Sequence, residues 1–286
     1  EEEGSRFGSG LMASRLLTGK LPTQQLSQIK DAAGISFTEA MRSYGLDPEQ
    51  LRDVLLPKEA AHAFLELHIE QGPVLEAQGE DVAIVDSIVC LTQLRVRIYG
   101  AAGHAGTTPM NARRDALVGA VAVLSELPGL AKDIGQNAVL TVGKVDVKPG
   151  GANVIPDEVE FTVDIRAPEE DVVRQLVAQT RAAVARAEDA GFRTDVVEDL
   201  FAQPTMLSSE IHTRLTKHAD QLQLKSRSMV SGAGHDAMIM ADYVPTGLIF
   251  VPSRNGVSHS PDEWTDYDQL ARGVDVIFAT IREMTE

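Results

Sequence analysis

Three short stretches of this sequence join metal-binding side chains to loop-forming neighbours. Glu1-Glu2-Glu3-Gly4 sets adjacent carboxylates before a glycine. One of them can ligate a cation while its neighbour diverges to act as a base, although an acidic run standing alone also reads as solvated surface. His68 closes the apolar run 63–68 and leads into Ile69-Glu70-Gln71-Gly72-Pro73; as easily as a ligand it is a structural histidine. His259 stands in the polar loop Val257-Ser258-His259-Ser260-Pro261-Asp262-Glu263, after a second apolar run. A carboxylate with two histidines is a zinc-type ligand set, but no two of these lie at the spacing of a zinc helix or knuckle.

A fourth group lies mid-chain. Gly103-His104-Ala105-Gly106-Thr107-Thr108-Pro109 presents one histidine on a glycine-bounded loop, and Gly150-Gly151-Ala152-Asn153 sets an amide beside a tight turn. Arg166 follows in Asp164-Ile165-Arg166. An arginine fork with an asparagine amide suits a carboxylate; the alternative is an arginine paired with Asp164 or Glu169. His235-Asp236 follows Gly232-Ala233-Gly234, where Asp236 can equally cap a helix. His218-Ala219-Asp220 has a metal-site form but falls in a helical stretch and reads as a solvated face, and His62 and His212 read as surface positions.

These clusters need rigid elements to hold them. Leu94, Val96 and Ile98 alternate with polar partners as a strand. A helix over 116–127 ending near Pro128-Gly129, a β-rich run over 138–147 and a strand through Val159, Phe161, Val163 and Ile165 follow. A helix over 168–190 stopped by Gly191 and a strand over 192–200 complete β-α-β-β-α-β, the split ferredoxin-like order. The flanks differ: residues 9–57 read as mostly helical, with short helices at 37–44 and 48–56. A strand at 63–68, helices around 212–222 and 236–240, a buried strand at 247–251 and a helix over 266–284 suggest an α/β layer domain. The expected organisation is thus one domain in two segments, 1–89 and 203–286, with an α+β domain inserted at 90–202.

Composition narrows the function. The 286 residues are 43% hydrophobic and 24% charged, enough for two globular domains. A charge of −16, from 26 basic and 42 acidic residues, argues against nucleic-acid and membrane partners. The single cysteine, Cys90, excludes an intramolecular disulfide, reads as a small buried apolar residue and fits a reducing, cytoplasmic compartment. The start resembles neither a signal peptide nor an initiating methionine and looks cut.

Taken in order, Glu-Glu-Gly-Ser-Arg-Phe (2–7), His-Ile-Glu-Gln-Gly-Pro (68–73), His-Ala-Gly-Thr-Thr-Pro-Met (104–110), Asn-Val-Ile-Pro (153–156), Gly-Ala-Gly-His-Asp-Ala (232–237) and Ser-His-Ser-Pro (258–261) form a set. It resembles the N-carbamoyl-L-amino-acid and allantoate amidohydrolase group of the aminoacylase-like zinc metallopeptidases. The resemblance implies a three-layer α/β/α zinc-peptidase-like catalytic domain, incomplete at its N-terminus, with an inserted ferredoxin-like α+β lid that also forms a homodimer. It implies two divalent metal ions (zinc, manganese or cobalt), with Glu3 and His259 on one and His68 on the other. Glu2 resembles the general base, His104 the lid histidine that reaches into the neighbouring subunit's site to stabilise an oxyanion, and Asn153 with Arg166 the pair that grips a substrate carboxylate. Gln71 and His235 resemble residues that contact the ureido group or orient ligands. The family's His-x-Asp ligand and bridging aspartate precede the Glu-Glu-Gly motif and have no counterpart here.

The function so implied is hydrolysis of the ureido C–N bond of N-carbamoyl-L-amino acids, releasing ammonia and carbon dioxide. Allantoate or ureidoglycolate hydrolysis is the alternative within the group. A catalytically silent dimeric fragment with an incomplete metal site is the alternative outside it.

Overall fold

The computed structural model describes residues 3–8, 10–53, 55–57, 60–135 and 137–286. The chain divides into two compact units, Glu1–Ile88 with Thr205–Glu286, and Val89–Pro204. The first segment holds α1 (Met12–Leu17), α2 (Phe37–Ser43), β1 (Phe64–Ile69), α3 (Val74–Gln78) and β2 (Val82–Ile88). The second unit holds β3 (Cys90–Tyr99), β4 (Gly103–His104), α4 (Ala116–Ile134), β5 (Val139–Lys148), β6 (Val154–Ile155), β7 (Glu158–Ala167), α5 (Glu170–Asp189) and β8 (Arg193–Ala202). The last segment adds β9 (Thr205–Met206), α6 (Ser209–Gln221), β10 (Ser226–Ser231), α7 (Asp236–Met240), β11 (Thr246–Val251) and α8 (Tyr267–Thr285).

In the first unit the sheet runs β1-β11-β2-β10, with β9 also on β2. β1 lies parallel to β11 and β10 parallel to β2, while β11 and β2 are antiparallel. All six residues of β11 are buried, as a strand covered on both faces requires. On one face Ile84, Ile249 and Val251 pack against Ile211 and Leu215 of α6 and Val276 of α8. On the other, Val85, Leu248 and Phe250 meet Leu75 of α3 and Ala237 of α7. These are the three layers expected from the sequence. No helix among the described residues is long and apolar enough to cross a membrane.

The second unit is an antiparallel sheet in the order β5-β7-β3-β8. With chain order β-α-β-β-α-β this is the ferredoxin-like topology. Strict alternation in β7 turns Val159, Phe161, Val163 and Ile165 into the core beneath α4 and α5. Cys90 is fully buried there, and burial pushes its thiol up to about 11.

Three readings need correction. The helix expected to end near Pro128 continues through it to Ile134. Pro128 removes one helical hydrogen bond at about 3 kcal/mol, but the next turn buries Ala131 and packs the partly buried Leu130 and Ile134 on the core, which offsets part of that cost. Residues 9–57 are not mostly helical. They contain two helices of 6 and 7 residues and 3-10 turns at Thr23–Gln25 and Pro48–Asp53. Lastly, α3, β2 and β10 had no counterpart in the sequence reading.

Candidate metal and substrate site

The site in the first unit is built from three loops. His68 lies at the C-terminal end of β1, opposite Phe250 on the parallel β11, the end at which open α/β sheets place ligands. Its Nδ1 bonds the Ile69 carbonyl at 2.9 Å. A carbonyl only accepts, so Nδ1 carries the proton and Nε2 keeps a lone pair, the state a metal-ligating imidazole needs.

The chain then turns sharply. Glu70 accepts from the backbone N–H groups of Val74 and Leu75, both at 2.8 Å, capping α3 and leaving it a structural role. Gln71 is held in the left-handed region at φ 58°, with its N–H donated to the buried Ser253 hydroxyl at 3.0 Å. Ser253 belongs to the loop after β11. A Cβ on Gly256 of that loop would meet the Pro73 nitrogen at 2.8 Å, so the two loops touch through backbone.

His259, further along, is also left-handed, at φ 55°. Such conformations cost of order 1–3 kcal/mol each in non-glycine residues and persist where surrounding contacts impose them. Here Glu263 imposes it, accepting from the Ser258 hydroxyl at 2.9 Å and the His259 N–H at 3.1 Å. His259 Nε2 lies 3.7 Å from Glu3 Oε2.

Glu3, His68, Gln71 and Glu263 line one open cavity of about 320 Å³. Two ligands of one tetrahedral cation at 2.0–2.2 Å stand about 3.4 Å apart, so the Glu3–His259 spacing suits a shared divalent ion. The donor types also fit: the carboxylate of Glu3 and the imidazoles of His259 and His68, the last with its tautomer fixed. Among the described residues, however, no group of three or more His, Cys, Asp or Glu is gathered closely enough to hold a metal. Glu2 lies outside the described residues.

His235 is 1% exposed, with its ring centroid 4.5 Å from that of His68 and 5.4 Å from Phe250. Burial, then the neighbouring His68, lowers its pKa to about 3, so the ring is neutral. Asp236 does not cap α7. It accepts the Ser14 hydroxyl at 2.6 Å, and Glu66 of β1 accepts the Ala237 N–H at 2.7 Å.

In the second unit, β4 and β6 pair His104 with Val154, and Ala105 N–H donates to the Asn153 carbonyl at 3.0 Å. His104 and Asn153 are thereby brought together. His104 Nδ1 accepts the Gly106 N–H at 2.9 Å, which puts the proton of the neutral ring on Nε2, pointing it outward as a donor. Arg166 stands apart. It pairs with Leu91 and Val139 at one end of the sheet, eight residues or about 26 Å of strand from Glu158, where the Asn153 loop enters β7. Its guanidinium grips Asp164 at 2.7 and 3.1 Å. One copy of this unit therefore does not assemble Asn153 and Arg166 into one clamp.

His218 and His212 are less exposed than a solvated face or a surface position would be, while His62 is at the surface. His218 is not on a solvated face: it is 8% exposed, with Nδ1 3.0 Å from Gln221 Oε1 and Nε2 2.8 Å from Glu283 on α8. His212 Nε2 meets both Asp86 at 3.0 Å and Ser228 at 2.9 Å. Both partners share one nitrogen, so this is not a nucleophile triad. His62 is exposed. The supporting residues Glu263, Ser253, Glu66 and Ser231 were not singled out from sequence, because each acts through loop or tertiary contacts rather than through its own motif.

Residues 1–283 match the model of peptidase family M20/M25/M40. The chain belongs to that family. It is 40% identical over 285 residues to an N-carbamoyl-L-amino-acid amidohydrolase of Paenarthrobacter aurescens, covering 99% of this chain and 69% of the relative. An allantoate amidohydrolase of Escherichia coli (strain K12) is 39% identical over 277 residues, covering 96% of this chain and 66% of the relative. The crystal structure of an amidase of the hydantoinase/carbamoylase family from Burkholderia multivorans superposes with a TM-score of 0.85 at 34% identity, covering 98% of this chain and 68% of that one. This M20 chain is an amidohydrolase, acting on amide or ureido C–N bonds.

Proposed function

We propose that the protein hydrolyses the ureido C–N bond of N-carbamoyl-L-amino acids with divalent metal held by Glu3, His259 and His68. The observation that carries the reading is the 3.7 Å Glu3–His259 pair, whose Glu3 lines the same cavity as His68. Similarity to N-carbamoyl-L-amino-acid amidohydrolases at 40%, 36% and 37% identity supports this substrate class.

A divalent cation there would act as a Lewis acid toward the ureido carbonyl and activate water. The remaining chemistry belongs to the protein. Glu2 takes a proton from the attacking water as it adds to the ureido carbon, then passes it to the departing nitrogen, which leaves as ammonia. The carbamic acid that remains passes its proton to nitrogen as it loses carbon dioxide, giving the amino acid. His104 Nε2–H donates to the oxyanion that forms on the carbonyl oxygen. Gln71 orients the ureido group, and His235, buried against His68, orients that ligand.

Asn153 and Arg166 bind the substrate carboxylate from two copies of the chain rather than from one. The wide separation of Arg166 from the Asn153 loop supports this, as do unpartnered apolar surfaces on the second unit. Val118 and Val121 of α4 are 64% and 54% exposed, and β5 is an edge strand with Val139 and Val145 exposed. A homodimer through residues 90–202 would cover them.

The test is ammonia release by the protein loaded with zinc, manganese or cobalt, offered N-carbamoyl-L-amino acids, allantoate and ureidoglycolate in parallel. The reading predicts the highest kcat/KM for an N-carbamoyl-L-amino acid. Preference for allantoate or ureidoglycolate would reassign the substrate, and no turnover of any of the three would refute the reading.

A further inference from the structure

We infer that Ser231 is a positioning residue, whose hydroxyl fixes the proton of His235 on Nε2 and so sets the ring that packs edge-on against His68. Its functional meaning rests on the proposed role of His68 as a metal ligand; the proton placement does not.

Ser231 closes β10 and is 1% exposed. Its Oγ has three partners: it donates to the Ala233 carbonyl at 2.9 Å, accepts the Ala233 N–H at 3.2 Å, and lies 3.0 Å from His235 Nε2. A hydroxyl has one proton and two lone pairs. Its proton is spent on the Ala233 carbonyl and one lone pair on the Ala233 N–H. The remaining lone pair can satisfy His235 only if Nε2 brings its own hydrogen. The opposite arrangement, with the hydroxyl donating to Nε2, would abandon the Ala233 carbonyl and leave a lone pair on Oγ unfilled in a buried place, where an unmade bond is expensive. Only the Nε2–H tautomer uses every bonding capacity of Ser231.

The consequence reaches His68. The two rings meet at 4.5 Å and 60°, and His235 is tilted against Phe250 on its other side. His235 is packed between them, and His68 is itself tied through Nδ1 to Ile69. A fixed tautomer leaves His235 Nδ1 as an acceptor.

The experiment is long-range 1H–15N NMR of the imidazoles in the metal-free protein at pH 7.5, on wild type, Ser231→Ala and Ser231→Thr. The expected result is a single Nε2–H tautomer for His235 in wild type, a mixture in Ser231→Ala, and its recovery in Ser231→Thr. A zinc titration should then show Ser231→Ala binding about tenfold more weakly. A wild-type proton on Nδ1 overturns the inference whatever the variants do, and so does a Ser231→Ala spectrum identical to wild type. Failure of the ammonia assay would sink the proposed activity while leaving this spectrum as it is.

Discussion

The cavity bounded by Glu3, His68 and Gln71 is made by loops pinned to one another, whereas the His104–Asn153 pair rests on a two-residue ladder open to solvent. In the first, left-handed residues, a buried serine and a loop-bridging glutamate hold the donors before any ligand arrives. In the second, His104 is exposed and its one fixed feature is the ring nitrogen that carries the proton. A metal site gains from donors held in place, because every ligand ordered in advance lowers the cost of binding. A group that serves only the transition state gains from arriving late, with closure.

That contrast can be broken most forcefully by removing its two halves separately. Glu3→Gln and His104→Ala should each be nearly inactive, His104→Ala by about 10²–10³ in kcat with KM little changed, as for a lost oxyanion donor. Mixed and re-equilibrated, the two inactive proteins should recover about a quarter of wild-type turnover, because half of the dimers then contain one intact site. Absence of recovery would place His104 in the service of its own chain.

Loosening the first region without emptying it is a smaller change. Glu263→Gln keeps shape but weakens the bonds to Ser258 and His259, and should cost about 10–100-fold in metal affinity measured by calorimetry. Wild-type affinity would show that the His259 loop is held by something else.

The buried ring gives a pH signature. His235 has a folded pKa near 3 against the ordinary 6.5, so below pH 6.5 the unfolded chain takes up a proton that the folded chain refuses. Its contribution is full above 6.5 and is lost as pH falls toward 3, at up to about 1.4 kcal/mol per pH unit. Urea unfolding of wild type and His235→Gln should diverge with this sign, the variant having the shallower acid slope; parallel curves would refute it. The smallest effect belongs to the second region. Asp164→Asn should alter stability by no more than about 1 kcal/mol, since the Arg166–Asp164 pair is partly exposed, with side chains 31% and 23% accessible. A larger loss would mean that the pair is a structural anchor.

What could be read in advance follows the range of the interaction. The alternation of β7 and the helical spacing of α5 are local, and both elements stand close to where the residue pattern puts them. β11 was legible from its apolar run alone. The passage of α4 through Pro128 was not, because it depends on a core assembled from strands on either side of it in sequence. His218 reads as exposed until Glu283, on a helix that begins almost fifty residues later, is folded against it. At the site, residue types named His68, His259 and Gln71, but the left-handed backbone at two of them comes from loop-to-loop contacts that no spacing shows. Arg166 illustrates the converse: its chemistry suggested a clamp with Asn153, and the register of β7 sets the two far apart within one copy.

The central claim is that the Glu3–His259 pair holds one divalent cation and His68 another. Crystals of the zinc-loaded protein, measured across the zinc absorption edge, test it most directly. The account predicts anomalous density within coordinating distance of Glu3 and His259, lost in a Glu3→Gln, His259→Asn double variant. Zinc bound elsewhere, with that cavity empty and the double variant turning over as fast as wild type, would contradict it.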